Sequence, residues 1–328
     1  MKILITGYLG FIGSSLTPFL INKYPNYSFI LIDSCTYAAN KHLQTTYATP
    51  DARIVEGNLN IKDIGFFGPY PDVIINLAAE SHVANSILDC SPFIDTNILG
   101  VKSLLEYCKK SGATLIHFST DEVYGDKPPM KGHCELDLLS PSNPYSATKA
   151  SADMLIKSYA RTYGVKNAIF RVTNNYGFHQ HEEKLIPSIL KSLKNISKLE
   201  ELNFPLHDLG KPKRNWLNVM DTCHAVDMIL NECLRRDINE IYNCNGDCEL
   251  ENKQVLSKIL SCWEIGDTSN EEFYFNNIEE YADFSFNRPG QDVRYYLDDR
   301  KLRAMGWYTK IDFDKEITEI VKKEKNEV

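Results

Sequence analysis

The 328-residue chain lacks any run of about 18 apolar residues, the length that a helix needs to cross a bilayer. It also lacks an excess of positive charge, because 36 Lys and Arg residues stand against 44 Asp and Glu residues, a formal net charge of −8. Proteins that bind nucleic acids or membrane surfaces need a basic face to attract phosphates. The sequence therefore predicts no membrane partner and no nucleic-acid partner, although a small basic pocket for one diphosphate stays compatible with it.

The nine cysteines include no C-x-x-C pair. Cys244 and Cys248 come closest, but they flank a turn without His or carboxylate partners at ligand spacing, so we expect no metal site. Reduced thiols in a reducing compartment are the simplest interpretation. The N-terminal apolar run is broken by glycines and is followed by no small-residue cleavage site, so we expect a cytoplasmic rather than a secreted protein.

The first half alternates short apolar runs, rich in Ile, Leu and Val, with helical stretches. Predicted strands cover residues 2–6, 28–33, 52–56, 73–77, 114–119 and 167–171, and predicted helices cover 11–23, 92–110 and 145–163. Such alternation predicts an α/β fold with a Rossmann-like, doubly wound parallel sheet. Pro18 lies inside the first predicted helix and should kink it.

The pattern changes after Arg171, where turn residues become denser and apolar runs shorter. We expect residues 1–172 to form a cofactor-binding domain and residues 173–328 mainly a smaller C-terminal substrate-binding domain. Elements from about 216 to 244 should return to the first domain. The charged tail after Ile317 is expected to fray.

A glycine motif follows the first strand and opens the first helix. Gly7, Gly10 and Gly13 give the spacing G-x-x-G-x-x-G, which suits a tight turn, close approach to a pyrophosphate and close helix–sheet packing. Asp33 ends the second strand, where a carboxylate accepts hydrogen bonds from ribose hydroxyls and repels a 2′-phosphate. The motif therefore predicts NAD rather than NADP. A structural glycine turn followed by an ordinary Asp is the simpler alternative.

Two further clusters point to chemistry. Tyr145 and Lys149 form Y-x-x-x-K on one helix face, and a nearby ammonium should lower the pKa of the phenol so that it can act as a base. Asp121 and Glu122 end the fifth predicted strand, and open α/β sheets bind ligands at strand carboxyl ends. Adjacent carboxylates there are costly unless they are used or solvated. A surface Tyr–Lys pair and a solvated acidic turn are the structural alternatives.

With these motifs the chain resembles the nucleotide-sugar 4,6-dehydratases of the extended short-chain dehydrogenase type, most closely the dTDP-glucose 4,6-dehydratases. The resemblance runs nearly end to end through LITGYLGFIGS, CTYAAN, NLAAESHV, TNILG, STDEVYG, PYSATKAS, RVTNNYG, EKLIP, RNW and NRPGQD. The T-D-E triplet is its specific part, because the epimerases of the superfamily lack the Asp-Glu pair and related decarboxylases usually carry Ser-Glu.

The resemblance implies a three-step reaction and a role for each residue. Tyr145 deprotonates the sugar 4-hydroxyl while hydride passes from carbon 4 to NAD, and Thr120 and Lys149 assist. Glu122 removes the proton on carbon 5, protonated Asp121 donates to the leaving 6-hydroxyl, and hydride returns to carbon 6. Two adjacent carboxyls should have pKa values pushed apart, which suits one acid and one base.

The resemblance also implies binding residues. Those expected at the cofactor are Gly7, Gly10, Phe11, Ile12, Gly13, Asp33, Ser34, Thr36, Asn58, Leu59, Leu77, Ala78, Ala79, Ser81, Asn97, Ser119, Tyr145, Lys149 and Asn174. Those expected at the nucleotide-diphosphate sugar are Ser81, His82, Thr120, Asn175, Glu183, Lys184, Leu185, Arg214, Arg288 and Asp292.

Departures from the family pattern leave the substrate open. Ala84 and Asn85 stand where the family usually has Asp and Arg, and Asn215 and Asn218 stand where it has Asp and Tyr. A UDP-hexose or UDP-N-acetylglucosamine, with or without epimerisation at carbon 5, remains an alternative to dTDP-glucose. So do a UDP-sugar epimerase or decarboxylase and an inactive NAD-binding sensor. Members of the family pair two helices into a four-helix bundle, so we expect a homodimer through residues 92–110 and 145–163.

Overall fold

The computed structural model describes residues 1–47, 52–57, 70–126, 130–197, 201–265, 277–287, 289–290 and 292–326. The strands are β1 (Lys2–Thr6), β2 (Ser28–Asp33), β3 (Ala52–Glu56), β4 (Val73–Asn76), β5 (Thr114–Thr120), β6 (Asn167–Val172), β7 (Asn174–Tyr176), β8 (Phe204–Pro205), β9 (Lys213–Asn218), β10 (Asn239–Cys244), β11 (Cys248–Glu251) and β12 (Ala282–Asp283). The predicted strands of the first half are confirmed to within one residue at each end.

The helices are α1 (Phe11–Lys23), α2 (Val83–Leu88), α3 (residues 91–111), α4 (Pro144–Tyr163), α5 (Leu185–Lys194), α6 (Val219–Arg235), α7 (Asn252–Ile265), α8 (Arg300–Ala304) and α9 (Phe313–Asn326). Helix α3 contains a π-helical segment, Ile94–Gly100, between two α-helical ends. Short 3₁₀ turns cover Lys41–Tyr47, Asp121–Tyr124, His207–Gly210 and Ile278–Glu280.

A seven-stranded sheet organises the first half. Its order is β10-β6-β5-β4-β1-β2-β3, and every neighbouring pair is parallel. Side chains of α1 and α6 pack on one face of the sheet, and those of α3 and α4 pack on the other. Because both faces are covered, the strands are apolar throughout rather than alternating. The doubly wound α/β prediction is confirmed.

The second half adds a separate packed layer. Strands β11, β9 and β7 form a three-stranded sheet, and β12 pairs with β8. A second apolar cluster lies there, built largely from α5, α7 and α9. The expectation that the tail frays after Ile317 is wrong, because α9 continues to Asn326. Ile320 and Val321 are buried against this cluster, which compensates the cost of ordering the charged tail.

Helix α1 continues through Pro18. A proline has no N–H to donate to the carbonyl four residues earlier, which here belongs to Ser14. The hydroxyl of Tyr47 donates to that carbonyl at 2.7 Å. A side chain from a neighbouring 3₁₀ turn thus replaces the missing helical hydrogen bond, and the helix that opens at the glycine motif stays unbroken.

Candidate active site at the carboxyl ends of the strands

The acidic pair lies directly after β5. Thr120 ends the strand, and its side chain caps the following turn by accepting a hydrogen bond from the Glu122 N–H at 3.3 Å. The Thr120 hydroxyl also donates to Asp121 Oδ1 at 3.0 Å. Asp121 is 3% exposed, and its other oxygen, Oδ2, is buried with no hydrogen-bond partner in the described part of the chain.

Burial decides the charge state of Asp121. Loss of solvation, helped by the neighbouring charge of Glu122, raises the pKa of Asp121 to about 7, although Thr120 and Arg214 act in the opposite direction. A carboxyl with this pKa is substantially protonated at neutral pH. The sequence-based expectation that Asp121 serves as an acid therefore has a physical basis here.

Tyr145 and Lys149 face the same region from helix α4, and both are buried. Burial and the charges of Glu122 and Asp121 raise the pKa of Tyr145, whereas the Thr120 hydroxyl opposes the shift. The Lys149 ammonium donates to the Phe118 carbonyl at 2.5 Å, and burial lowers its pKa to about 8. The shift runs opposite to the one expected from the Tyr145–Lys149 spacing, because burial and two carboxylates set it and Lys149, bonded to the Phe118 carbonyl, is not among its causes.

Glu122 has two partners that sequence reasoning missed. Asn143, the N-cap of α4, donates from Nδ2 to Glu122 Oε2 at 3.1 Å while its own side-chain oxygen caps the helix. The hydroxyl of Tyr295 lies 3.5 Å from the same oxygen. Asn143 directly precedes the PYSATKAS motif, and an Asn before a Pro that opens a helix signals an N-cap, although not the contact with Glu122. Tyr295 is 173 residues away from Glu122 and had no such signal.

Arg214 and Asp292, both predicted at the substrate, meet at Tyr295. The Tyr295 hydroxyl donates to Asp292 Oδ2, and the Arg214 guanidinium lies 4.4 Å from the centre of the Tyr295 ring. The guanidinium donates to the carbonyls of Lys213, Asp292 and Val293. These contacts fix a buried cation next to the acidic pair, where it lowers the pKa of Asp121.

A cleft of about 620 Å³ opens at the carboxyl ends of β1, β2 and β4. Its lining includes Gly7, Gly10, Asp33, Ser34, Thr36, Leu77, Ala78 and Ala79, all predicted at the cofactor. It also includes residues that the prediction missed, among them Glu80, Asp95, Thr96 and Leu99 of the adjoining loop and α3.

The glycine loop leaves no room for side chains. Gly7 has φ +69°, and a Cβ there would lie 2.6 Å from the Ala78 nitrogen. A Cβ on Gly13 would lie 2.2 Å from the Gly7 carbonyl oxygen. The N-terminus of α1 has no side-chain cap, so its free N–H groups are available to a phosphate. The loop therefore fits the pyrophosphate of a dinucleotide.

Asp33 is held at the edge of this cleft. Its two oxygens accept from the Leu9 N–H at 2.9 Å and the Cys35 N–H at 2.8 Å. Burial raises the pKa of Asp33, and these two N–H groups oppose that shift. Each carboxylate oxygen retains a further lone pair, so both can still accept from ribose hydroxyls.

Asn97 and Asn175, predicted at the ligands, are occupied by contacts within the chain. Asn97 exchanges two hydrogen bonds with the Glu80 backbone and donates to Thr148 Oγ1, each at 3.0 Å. Asn175 accepts from the Thr222 hydroxyl at 2.5 Å and donates to the Thr173 carbonyl at 3.0 Å. Both amides brace the walls of the site.

A second polar cluster contains four more of the predicted substrate residues. Lys184 donates to the carbonyl and hydroxyl oxygens of Ser81 at 3.1 and 3.4 Å, and its ammonium lies 3.4 Å from Glu183 Oε1. His82 Nδ1 lies 3.9 Å from Glu183 Oε2. The cluster thus joins the loop after β4 to the loop before α5.

The other predicted residues are spread around these groups. Phe11 and Ile12 begin α1, Ser119 is buried in β5, Asn174 begins β7 and Leu185 begins α5. The predictions for Asn58, Leu59 and Arg288 lie outside the described residues.

The described residues show neither a metal site nor a membrane span. No group of three or more His, Cys, Asp or Glu side chains in the described ranges is arranged to hold a metal ion. None of the helices described combines the length and apolar character needed to span a bilayer.

Comparison with known proteins agrees with this geometry. A family model described as GDP-mannose 4,6 dehydratase matches residues 4–320. A dTDP-glucose 4,6-dehydratase from Haemophilus influenzae is 37% identical over 98% of this chain and 97% of its own length. The low-salt glycan biosynthesis protein Agl12 from Haloferax volcanii is also 37% identical, over 96% of this chain and 95% of its own.

Among solved structures, a dTDP-glucose 4,6-dehydratase from Streptomyces venezuelae with NAD bound superposes with a TM-score of 0.85. It is 33% identical, and the match covers 98% of this chain and 96% of that one. The chain therefore belongs to the GDP-mannose 4,6-dehydratase family and is a nucleotide-sugar 4,6-dehydratase, a hydro-lyase that uses NAD.

Proposed function

We propose that this chain converts a nucleotide-diphosphate hexose, dTDP-glucose or a UDP-hexose, into the corresponding 4-keto-6-deoxy sugar. The observation that carries the proposal is the buried Asp121–Glu122 turn beside Tyr145, with the pKa of Asp121 raised to about 7. Two carboxyls in different protonation states are what elimination of water requires, because one must accept a proton while the other donates one.

In the first step, Tyr145 takes the proton from the sugar 4-hydroxyl, and the Thr120 hydroxyl turns from Asp121 to donate a hydrogen bond to the 4-oxygen. Lys149, still largely protonated at neutral pH although burial lowers its pKa to about 8, holds the nicotinamide ribose. Bound NAD would supply the acceptor for the hydride from carbon 4, a positive ring that favours the phenolate of Tyr145, and later the hydride for carbon 6. The resulting 4-keto group acidifies the proton on carbon 5.

In the second step, Glu122 removes the carbon 5 proton and protonated Asp121 gives its proton to the 6-hydroxyl. The bond between carbon 6 and that oxygen breaks, and water leaves across carbons 5 and 6. Asn143 fixes the Glu122 carboxylate by a hydrogen bond to one oxygen, and the Tyr295 hydroxyl lies 3.5 Å from the same atom, which leaves Oε1 available as a base. The free Oδ2 of Asp121 suits the donor role.

We further propose a division of labour along the chain. Residues 1–172, with elements from about 216 to 244, hold NAD through Gly7, Gly10, Gly13 and Asp33. The remainder of 173–328 mainly holds the nucleotide sugar through Glu183, Lys184, Arg214 and Asp292, together with Ser81, His82 and Asn175. A buried guanidinium such as that of Arg214 suits a diphosphate.

Mass spectrometry of a substrate panel tests the proposal. The purified protein is incubated with dTDP-glucose, UDP-glucose, UDP-N-acetylglucosamine and a UDP-hexuronate, and the products are separated by chromatography and weighed. A product lighter by one water supports dehydration and identifies the nucleotide and the substituent on carbon 2. An isomer of unchanged mass would indicate an epimerase, and loss of carbon dioxide from a UDP-hexuronate would indicate a decarboxylase. Deuterium exchange at carbon 5 with inverted product reports epimerisation there.

We also propose that the chain works as a cytoplasmic homodimer assembled through α3 and α4. Met154 and Tyr163 on α4 are 55% and 49% exposed and are available to a partner helix. Leu104, Leu105 and Ile156, which lie within the two helices predicted to form this interface, are fully buried in the chain's own core. The interface is therefore proposed through the exposed faces of the two helices.

A further inference from the structure

A series of buried polar side chains links α4, which carries Tyr145 and Lys149, to the 3₁₀ turn that carries the acidic pair. Asp153 lies on α4, one turn after Lys149, and Tyr124 ends the 3₁₀ turn that carries Asp121. Arg171 lies between them on β6, next to Ser119 of β5. All three residues are buried, with exposed fractions of 0% for Asp153, 2% for Tyr124 and 1% for Arg171.

The contacts run through Arg171. Its Nε donates to Asp153 Oδ2 at 2.9 Å, and its Nη1 donates to the Tyr124 hydroxyl at 2.6 Å. The Tyr124 hydroxyl in turn donates to Asn243 Oδ1 on β10 at 2.9 Å. The Tyr124 ring stacks on His133, with ring centres 4.9 Å apart and planes 3° apart. Both the position and the rotation of Tyr124 are therefore fixed.

We infer that the Tyr124 hydroxyl is a positioning residue for the acidic pair. The inference rests on the proposed function. The hydrogen bond between Arg171 and Tyr124 keeps Asp121 and Glu122 in the correct position relative to Tyr145 and Lys149. A buried ion pair is weak evidence for stability, because its desolvation offsets its attraction, but its fixed geometry can specify one arrangement. Here the guanidinium joins α4, which carries Tyr145, to the 3₁₀ turn, which carries Asp121 and Glu122.

Tyr124→Phe tests this inference, because it keeps the ring and the stack and removes only the hydroxyl. Turnover should fall about 10-fold or more, since displacement of a reacting group by about 1 Å can cost ~100-fold. The KM should stay within about twofold, because Tyr124 does not touch the substrate pocket residues named above. Oxidation at carbon 4 should persist, so reduced-nicotinamide absorbance should build up on substrate addition. Arg171→Lys keeps a cation for Asp153 without the guanidinium fork and should give the same pattern if Tyr124→Phe is poorly folded.

Tyr24→Phe is the matched control. The Tyr24 hydroxyl also donates to an oxygen, Asp227 Oδ1, and accepts from an amide, Asn231 Nδ2, but it joins α1 to α6 away from the acidic turn. A melting-temperature loss without a change in turnover is expected there. Wild-type turnover in a folded Tyr124→Phe protein would overturn the inference, as would equal loss of oxidation and product. Absence of any dehydrated product with the wild-type enzyme would instead refute the proposed function.

Discussion

Thr120 donates a hydrogen bond to one oxygen of Asp121 at 3.0 Å, while the other oxygen is buried and free of partners within the residues described. This asymmetry gives the carboxyl one anchored atom and one atom available to a substrate. Burial raises the pKa of the same group to about 7, so that the carboxyl is about half protonated at neutral pH and can give a proton from the available atom. Both the position and the raised pKa of the Asp121 carboxyl thus suit a general acid.

The raised pKa of Asp121 predicts a pH-dependent cost in stability. The folded-state pKa lies above the unfolded value, so the folded state binds the extra proton and loses relative stability as pH rises from about 4 to about 7. Asp121→Asn removes this ionisation and should stabilise the protein by up to ~4 kcal/mol at pH 8, at ~1.4 kcal/mol per pKa unit. Urea unfolding at pH 5 and pH 8 checks this. The gain should be larger at pH 8, and the exposed Asp237→Asn should show no such trend.

The position of Asp33 predicts cofactor choice. Asp33→Ala should weaken NAD binding by about 10-fold or more, because hydrogen bonds to a charged group contribute ~1.5–3 kcal/mol. Calorimetric titration with NAD and NADP measures both affinities. The wild-type protein should prefer NAD, since the carboxylate repels a 2′-phosphate, and equal wild-type affinities would refute the role of Asp33.

The exposed face of α4 predicts assembly. Light scattering at micromolar concentration should give the mass of a dimer, and Met154→Glu should shift it towards a monomer because it introduces a charge into an apolar contact. Met130→Glu is the matched control, since Met130 is 97% exposed and lies outside both helices. A wild-type monomer, or equal effects of the two variants, would contradict the proposed interface.

The sequence predicted those features that depend on local spacing. The parallel sheet, the glycine loop and the acidic turn after β5 all follow from periodicity and from residues close in the chain. Tyr295 at Glu122 was not predictable from spacing, because a contact across 173 residues depends on the completed fold. The direction of the Tyr145 pKa shift was missed for a similar reason, since burial and carboxylates from another element set it.

Asn97 shows a second limit of prediction from sequence, because a motif does not indicate which neighbours a side chain will contact. Its place at the cofactor stays a prediction, and the structure adds contacts that the spacing did not predict, since its amide joins the Glu80 backbone to Thr148 on α4. The π-helical segment that carries Asn97 sets its direction, and such segments are often found at functional sites without a sequence signature of their own.

Single substitutions should separate the two chemical steps, oxidation at carbon 4 and elimination of water. Tyr145→Phe should abolish oxidation at carbon 4, so that no reduced nicotinamide appears. Asp121→Asn and Glu122→Gln should leave that oxidation intact, because neither carboxyl acts before elimination. A melting curve on each variant excludes loss of fold as the cause.

Stopped-flow absorbance of Glu122→Gln on mixing with substrate, with product measured in parallel, is the most direct test. Reduced nicotinamide should form and persist, while dehydrated product falls by ~100- to 10,000-fold, the usual contribution of a general base. Full turnover by a folded Glu122→Gln protein would contradict the assignment of Glu122 as the base that removes the carbon 5 proton.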